Sequence, residues 1–116
     1  MQFELTELQQ EIQRTCREFA AKELAPHARQ WDREHEFPAG AIRQLGELGL
    51  MGMTVPEEHG GAGLDAVAYA VAIEELCRGC ASTGLIVGVN NSLWCDPLAA
   101  HGTEEQKKRW LRSEER

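Results

Sequence analysis

Apolar residues recur at helical spacing along almost the whole chain, and capping residues, glycines and prolines mark where one predicted helix ends and the next begins. Thr6-Glu-Leu-Gln9 has the T-x-x-Q form of a capping box, and Leu8, Ile12, Cys16 and Phe19 follow on one stripe, so a first amphipathic helix opens near Thr6. Pro26 lacks the amide proton a helix interior needs, which breaks or kinks this helix and restarts a shorter one carrying Ala28 and Trp31. Asp32 to Glu36 reads as a polar linker. Pro38 suits the first turn of another helix, with Ile42, Leu45 and Leu48 as its buried stripe and Gly49-Leu50 as a Schellman-type stop.

Met51-Gly-Met-Thr-Val55 is short, apolar and flanked by Gly and Pro, so it reads as an extended connector, too isolated to imply a sheet. Asp65 is the expected N-cap of the next helix, which is apolar nearly all round from Val67 to Ile73 and therefore central. Beyond Ala81-Ser-Thr-Gly84 a further apolar helix runs to about Ala100, with a kink near Pro97. Thr103-Glu-Glu-Gln106 is a second capping box and opens a last helix through Trp110 and Leu111. Together these predict an all-α fold, an orthogonal bundle of about five to six helices with one short extended connector.

At 116 residues and 42% hydrophobic content, residues 1–116 make one ordinary domain with a small core. A net charge of −7, from 19 acidic against 12 basic residues, argues against a nucleic-acid surface. The longest apolar run, Ala66 to Ile73, is far short of the roughly 20 residues that span a bilayer, so no transmembrane segment is expected. No basic-then-apolar signal pattern opens the chain. Its start at Met1 without an Arg-rich, acid-poor presequence favours a bacterial cytoplasm over a mitochondrial matrix.

Asn90-Asn91-Ser92 interrupts a helix otherwise built from Leu85, Ile86, Val89 and Leu93. Asn is a poor interior helix former whose buried amide needs partners, so the run suggests a wall that faces something. Other candidate chemistry is weaker. Cys77-Arg-Gly-Cys80 has C-x-x-C spacing, but no second pair or suitably spaced His completes a metal site, and four reduced thiols, Cys16 and Cys95 included, is the simpler reading. His27, His35, His59 and His101 are scattered, as surface residues are. Gly61-Ala-Gly63-Leu-Asp-Ala66 fits a G-x-G-x-x-A fingerprint without the βαβ unit that gives it meaning, and reads as a tight loop. Glu74 and Glu75, about 100° apart on a helix, do not face each other and read as the solvated edge of the apolar stripe. No catalytic, cofactor-binding or metal residue is assigned.

Val55-Pro-Glu-Glu-His-Gly-Gly-Ala-Gly63, Ala70-Val-Ala-Ile-Glu-Glu-Leu76 and Arg78-Gly-Cys-Ala-Ser-Thr-Gly84 followed by Val89-Asn-Asn-Ser-Leu93 resemble the amino-terminal domain of an acyl-CoA dehydrogenase. The likeness is nearest to the short-chain, butyryl-type branch and extends through Phe37-Pro38, Leu48-Gly-Leu50 and Gly102-Thr-Glu-Glu-Gln-Lys107. It implies an FAD-dependent oxidoreductase of fatty acid β-oxidation that puts an α,β trans double bond into acyl-CoA thioesters and passes electrons to an electron-transferring flavoprotein. It also implies a homotetramer whose β-barrel and carboxy-terminal helical bundle, which carries the base, are not matched by these residues. The chain alone is then inactive and holds no FAD by itself. Its implied part is a wall of the acyl pocket, with Leu85, Val89, Asn90 and Leu93 as substrate-binding residues, since Leu85, Val89 and Leu93 fall at i, i+4 and i+8. The competing reading is an isolated helical interaction module without a catalytic role.

Overall fold

The computed structural model describes residues 3–111. Helix α1 (Glu7–Phe19) opens with both halves of the capping box: the Gln9 amide donates to Thr6 Oγ1 at 3.2 Å and the Thr6 amide donates to Gln9 Oε1 at 2.9 Å. It runs into a π turn at Ala20–Leu24, just ahead of Pro26, and the chain restarts as α2 (Ala28–Glu34). Leu8 does not join the buried stripe; it is exposed, while Gln9 is buried because its side-chain amide also reaches the Asp65 carboxylate at 3.2 Å.

Residues 32–34 are not a linker but the last turn of α2, which ends at His35 in the left-handed region at φ 53°. Their polarity reports exposure to water, not loss of helix. Pro38 is the N-cap of α3 (Ala39–Glu47), in which Ala41 and Leu45 are buried. Leu48 lies past the last helical residue and half-exposed, so it drops out of the predicted stripe. The stop itself forms as expected: Gly49 takes φ 82°, the Leu50 amide donates to the Leu45 carbonyl at 2.9 Å, and Leu50 is buried.

The connector from Met51 to Val55 is a chain of turns and bends with Met51, Met53 and Val55 buried. Its carbonyls at Gly52, Met53 and Val55 accept from the amides of Ala62, Leu64 and Gly63, and a short 3₁₀ turn, Glu57–His59, joins the two stretches. Among the described residues there is no strand. The Gly61 to Gly63 turn is tight for a steric reason. A Cβ on Gly61 would run into the Val55 carbonyl, and Gly63 sits at φ 63°.

Helix α4 (Ala66–Gly79) is capped by Asp65, whose carboxylate accepts from the Ala68 amide at 2.8 Å. It lies between α1 and α5 (Ala81–Val89), with Ala68, Ala72 and Leu76 buried, which is the central place its composition predicts. Glu75 corrects the solvated-edge reading. Glu74 is exposed, but Glu75 is only 3% exposed and takes a two-pronged pair from Arg17 of α1, Nη2 at 2.9 Å and Nε at 3.1 Å.

Past α5 the rod continues through a second π turn, Asn90–Cys95, into α6 (Asp96–His101), with Pro97 in its first turn. Helix α7 (Glu104–Trp110) begins with the second capping box. Taking α5 to α6 as one rod, the described residues form an all-α bundle around Cys16, Leu24, Leu45, Met53, Leu76 and Val87, with a smaller cluster of Val55, Cys95 and Leu111.

Candidate functional site

The polar run Asn90-Asn91-Ser92 divides its work between the two sides of its helix. Asn91 points inward and is 1% exposed. Its Oδ1 accepts from the Met53 amide at 2.7 Å, and its Nδ2 donates to the carbonyls of Leu50 at 3.1 Å and Val87 at 2.9 Å. One side chain thus ties the connector to the helix and satisfies the Met53 amide and the Leu50 carbonyl, which lie outside the regular elements. Asn90 Nδ2 donates to the Met51 carbonyl. Ser92 Oγ donates back to the Gly88 carbonyl at 2.7 Å, and the Tyr69 hydroxyl of α4 donates to the same carbonyl at 3.2 Å.

Two hydroxyls on one carbonyl compete with the amide that would otherwise bond there, which is where a helical ladder widens. The widening is the π turn at Asn90–Cys95, and the Asp96 amide bonds five residues back, to the Asn91 carbonyl. Burial raises the Tyr69 pKa, the nearby Asp96 carboxylate adds to the rise, and a hydrogen bond from Ser92 opposes both, so the phenol stays a donor at neutral pH.

The outward face of α5 forms a groove of about 540 Å³. Leu85, Ile86, Val89, Asn90 and Trp94 line one side of it and Phe37, Ile42 and Met51 the other. Asn90 is its one polar side chain, and that amide is already bonded to Met51, so the surface offered is almost wholly apolar. Leu85 is 67% exposed and Val89 43% exposed, large apolar side chains without cover from the described residues.

Of the four residues the sequence marks, Leu85, Val89 and Asn90 meet on this groove, and Leu93 lines a separate hollow with Trp94, Pro97, Leu98, His101 and Trp110. The i, i+4, i+8 stripe assumes a regular helix, and the π turn interrupts it after Val89. Phe37, Ile42 and Met51 come from α3 and its flanks, which spacing within one helix cannot reveal. Cys16, Cys77, Cys80 and Cys95 form no disulfide with one another, and among the described residues no group of three or more His, Cys, Asp or Glu is placed to hold a metal ion. No helix among them is long and apolar enough to cross a membrane.

The family model of the acyl-CoA dehydrogenase N-terminal domain matches residues 6–113, and the chain belongs to that family. Within it, short-chain specific acyl-CoA dehydrogenase, mitochondrial, of Bos taurus is 57% identical over 108 residues, 93% of this chain and 26% of that protein. The structure of butyryl-CoA dehydrogenase from Megasphaera elsdenii matches with a TM-score of 0.87 at 32% identity, over 96% of this chain and 30% of that one. An acyl-CoA dehydrogenase complexed with FAD from Bacillus anthracis matches with a TM-score of 0.86 at 33% identity, over 93% of this chain and 18% of that one. The chain therefore spans little more than a quarter of its bovine relative, 26%.

Proposed function

We propose that this chain is the amino-terminal part of an FAD-dependent acyl-CoA dehydrogenase acting on short-chain acyl thioesters, and that the α5 groove supplies a wall of the acyl pocket. The observation that carries the reading is the uncovered apolar face of Leu85 and Val89, set opposite Phe37 and Ile42 in a chain of this family. An acyl chain is the ligand such a lining favours, at about 0.8 kcal/mol for each methylene taken from water. Leu93 lines the neighbouring hollow and not the groove, so the proposal leaves it outside the acyl wall.

The groove does not suit the flavin dinucleotide itself. A pyrophosphate asks for cations or free backbone amides. This lining has no charged residue and its one side-chain amide is spent on Met51. The proposal accordingly places FAD, which supplies the acceptor for the hydride leaving the acyl β-carbon, on residues outside this groove. Transfer to an electron-transferring flavoprotein, a homotetramer and a bacterial cytoplasmic location belong to the same proposal.

The test is Val89→Gly in the full-length enzyme, assayed with a series of acyl-CoA lengths. Removing the branched side chain deepens the groove, so kcat/KM for longer chains rises relative to butyryl-CoA. An unchanged preference among lengths would show that the groove is not the acyl wall.

A further inference from the structure

We infer that Trp94, carried onto the groove by the π turn, is the residue that closes its carboxyl-terminal end and sets the length of acyl chain admitted; this rests on the reading of the groove as an acyl wall. On an unbroken α-helix the residues that repeat after Leu85 and Val89 come four positions apart, and the next would be Leu93. The π turn bonds residue i to i+5, which lengthens the repeat by one. The residue that follows Val89 on the groove face is then five positions on, at Trp94, and the lining agrees: Leu85, Val89 and Trp94 are on it and Leu93 is not.

The indole is held where it is. Its ring meets that of Trp110 edge to face, with centroids 6.3 Å apart and planes at 87°, and Arg109 lies over the Trp110 ring at 4.9 Å. Trp94 also lines the neighbouring hollow with Leu93, Pro97 and Trp110, so the indole forms the partition between the two. Shortening it joins the two spaces and lets a longer chain pass beyond the position of Val89. Leu93, on the far side of that partition, has no such leverage.

The test uses the full-length enzyme with butyryl-, hexanoyl- and octanoyl-CoA. Trp94→Ala raises kcat/KM for the longer substrates relative to butyryl-CoA, by about fourfold for each further methylene accommodated. Trp94→Phe, which keeps an aromatic edge for Trp110, gives a smaller shift in the same direction and covers the case in which the alanine variant does not fold. Leu93→Ala leaves the ratios as they are. A merely structural role for Trp94 lowers kcat/KM for every substrate alike, and that result overturns the inference. If Val89→Gly changes the length preference and both Trp94 variants do not, the groove reading stands and the role of Trp94 falls. If none of the three changes it, the groove reading falls as well.

Discussion

Truncation of Asn91 to alanine removes three hydrogen bonds: two join residues 50–53 to the α5 rod, from the Met53 amide and to the Leu50 carbonyl, and the third goes to the Val87 carbonyl within α5. At about 1 kcal/mol net for each bond the loss is about 3 kcal/mol. The side chain is 1% exposed, so water reaches the orphaned groups poorly, and an unpaired buried Met53 amide adds a further cost of about 1 kcal/mol or more. The expected total is about 3–5 kcal/mol, in the range reserved for broken buried networks. Urea unfolding followed by far-ultraviolet circular dichroism measures it, and a Tm depressed by about 12 °C or more accompanies it. Asn91→Asp is a second probe of the same bonds. The carboxylate still accepts from Met53 but turns an acceptor charge on the Leu50 and Val87 carbonyls, so it is at least as damaging as alanine at neutral pH. A loss below about 1 kcal/mol for Asn91→Ala, or an aspartate variant clearly milder than the alanine one, refutes the clamp.

The Arg17 to Glu75 pair behaves asymmetrically. Arg17→Ala leaves a nearly buried carboxylate with only Arg78, 3.7 Å away, and destabilises more than Glu75→Gln, which frees a largely exposed guanidinium into water; denaturation midpoints rank the two. Arg17's hydrogen bond holds the Glu75 carboxyl below its ordinary value, so its stabilisation is complete above the unfolded carboxyl range and is lost as pH falls through the lowered folded value. The acid limb of the stability curve is therefore shallower in Glu75→Gln than in the parent. Burial, with the Glu75 charge adding to it, pushes the Cys16 thiol up to about 11, so iodoacetamide at mildly alkaline pH labels the half-buried Cys77 and Cys80 before Cys16, as peptide mass spectrometry will show. Gly61→Ala destabilises because its Cβ meets the Val55 carbonyl, whereas Gly40→Ala, with nothing within 4 Å in helix α3, raises stability by about 0.5–1 kcal/mol; thermal unfolding separates them.

Features decided within a few residues were legible in the sequence. The capping boxes at Thr6 and Thr103, the Asp65 cap and the Gly49 stop each depend on neighbours three to five positions away, and each forms as its residues predict. The place of α4 between α1 and α5 was readable from its apolar run, although Val67 and Ala70 of that run stay exposed and the helix is not surrounded. Glu75 was misread because its partner, Arg17, is 58 residues away, and polarity alone points to solvent. Residues 32–34 were misread in the opposite sense, as polar residues in a helix that simply faces water.

The candidate site was half legible. Leu85, Val89 and Asn90 were named and do share the groove, but its opposite wall of Phe37, Ile42 and Met51 comes from packing that one helix's period cannot report. The π turn follows a carbonyl, Gly88, that takes both the local Ser92 hydroxyl and the Tyr69 hydroxyl from α4, and spacing along one helix does not reveal that second contact or the register shift that separates Leu93 from Trp94. The polar run reads in the sequence as a wall that faces something, whereas Asn91 turns inward and holds the connector that carries Met51 to the groove.

The most direct measurement for the account as a whole is a structure of the full-length enzyme with a bound short-chain acyl-CoA thioester. The account predicts acyl carbons in contact with Leu85 and Val89, within about 4.5 Å, and the chain directed along α5 toward Trp94. An acyl chain lodged elsewhere, with the α5 face covered by another part of the protein, would contradict it.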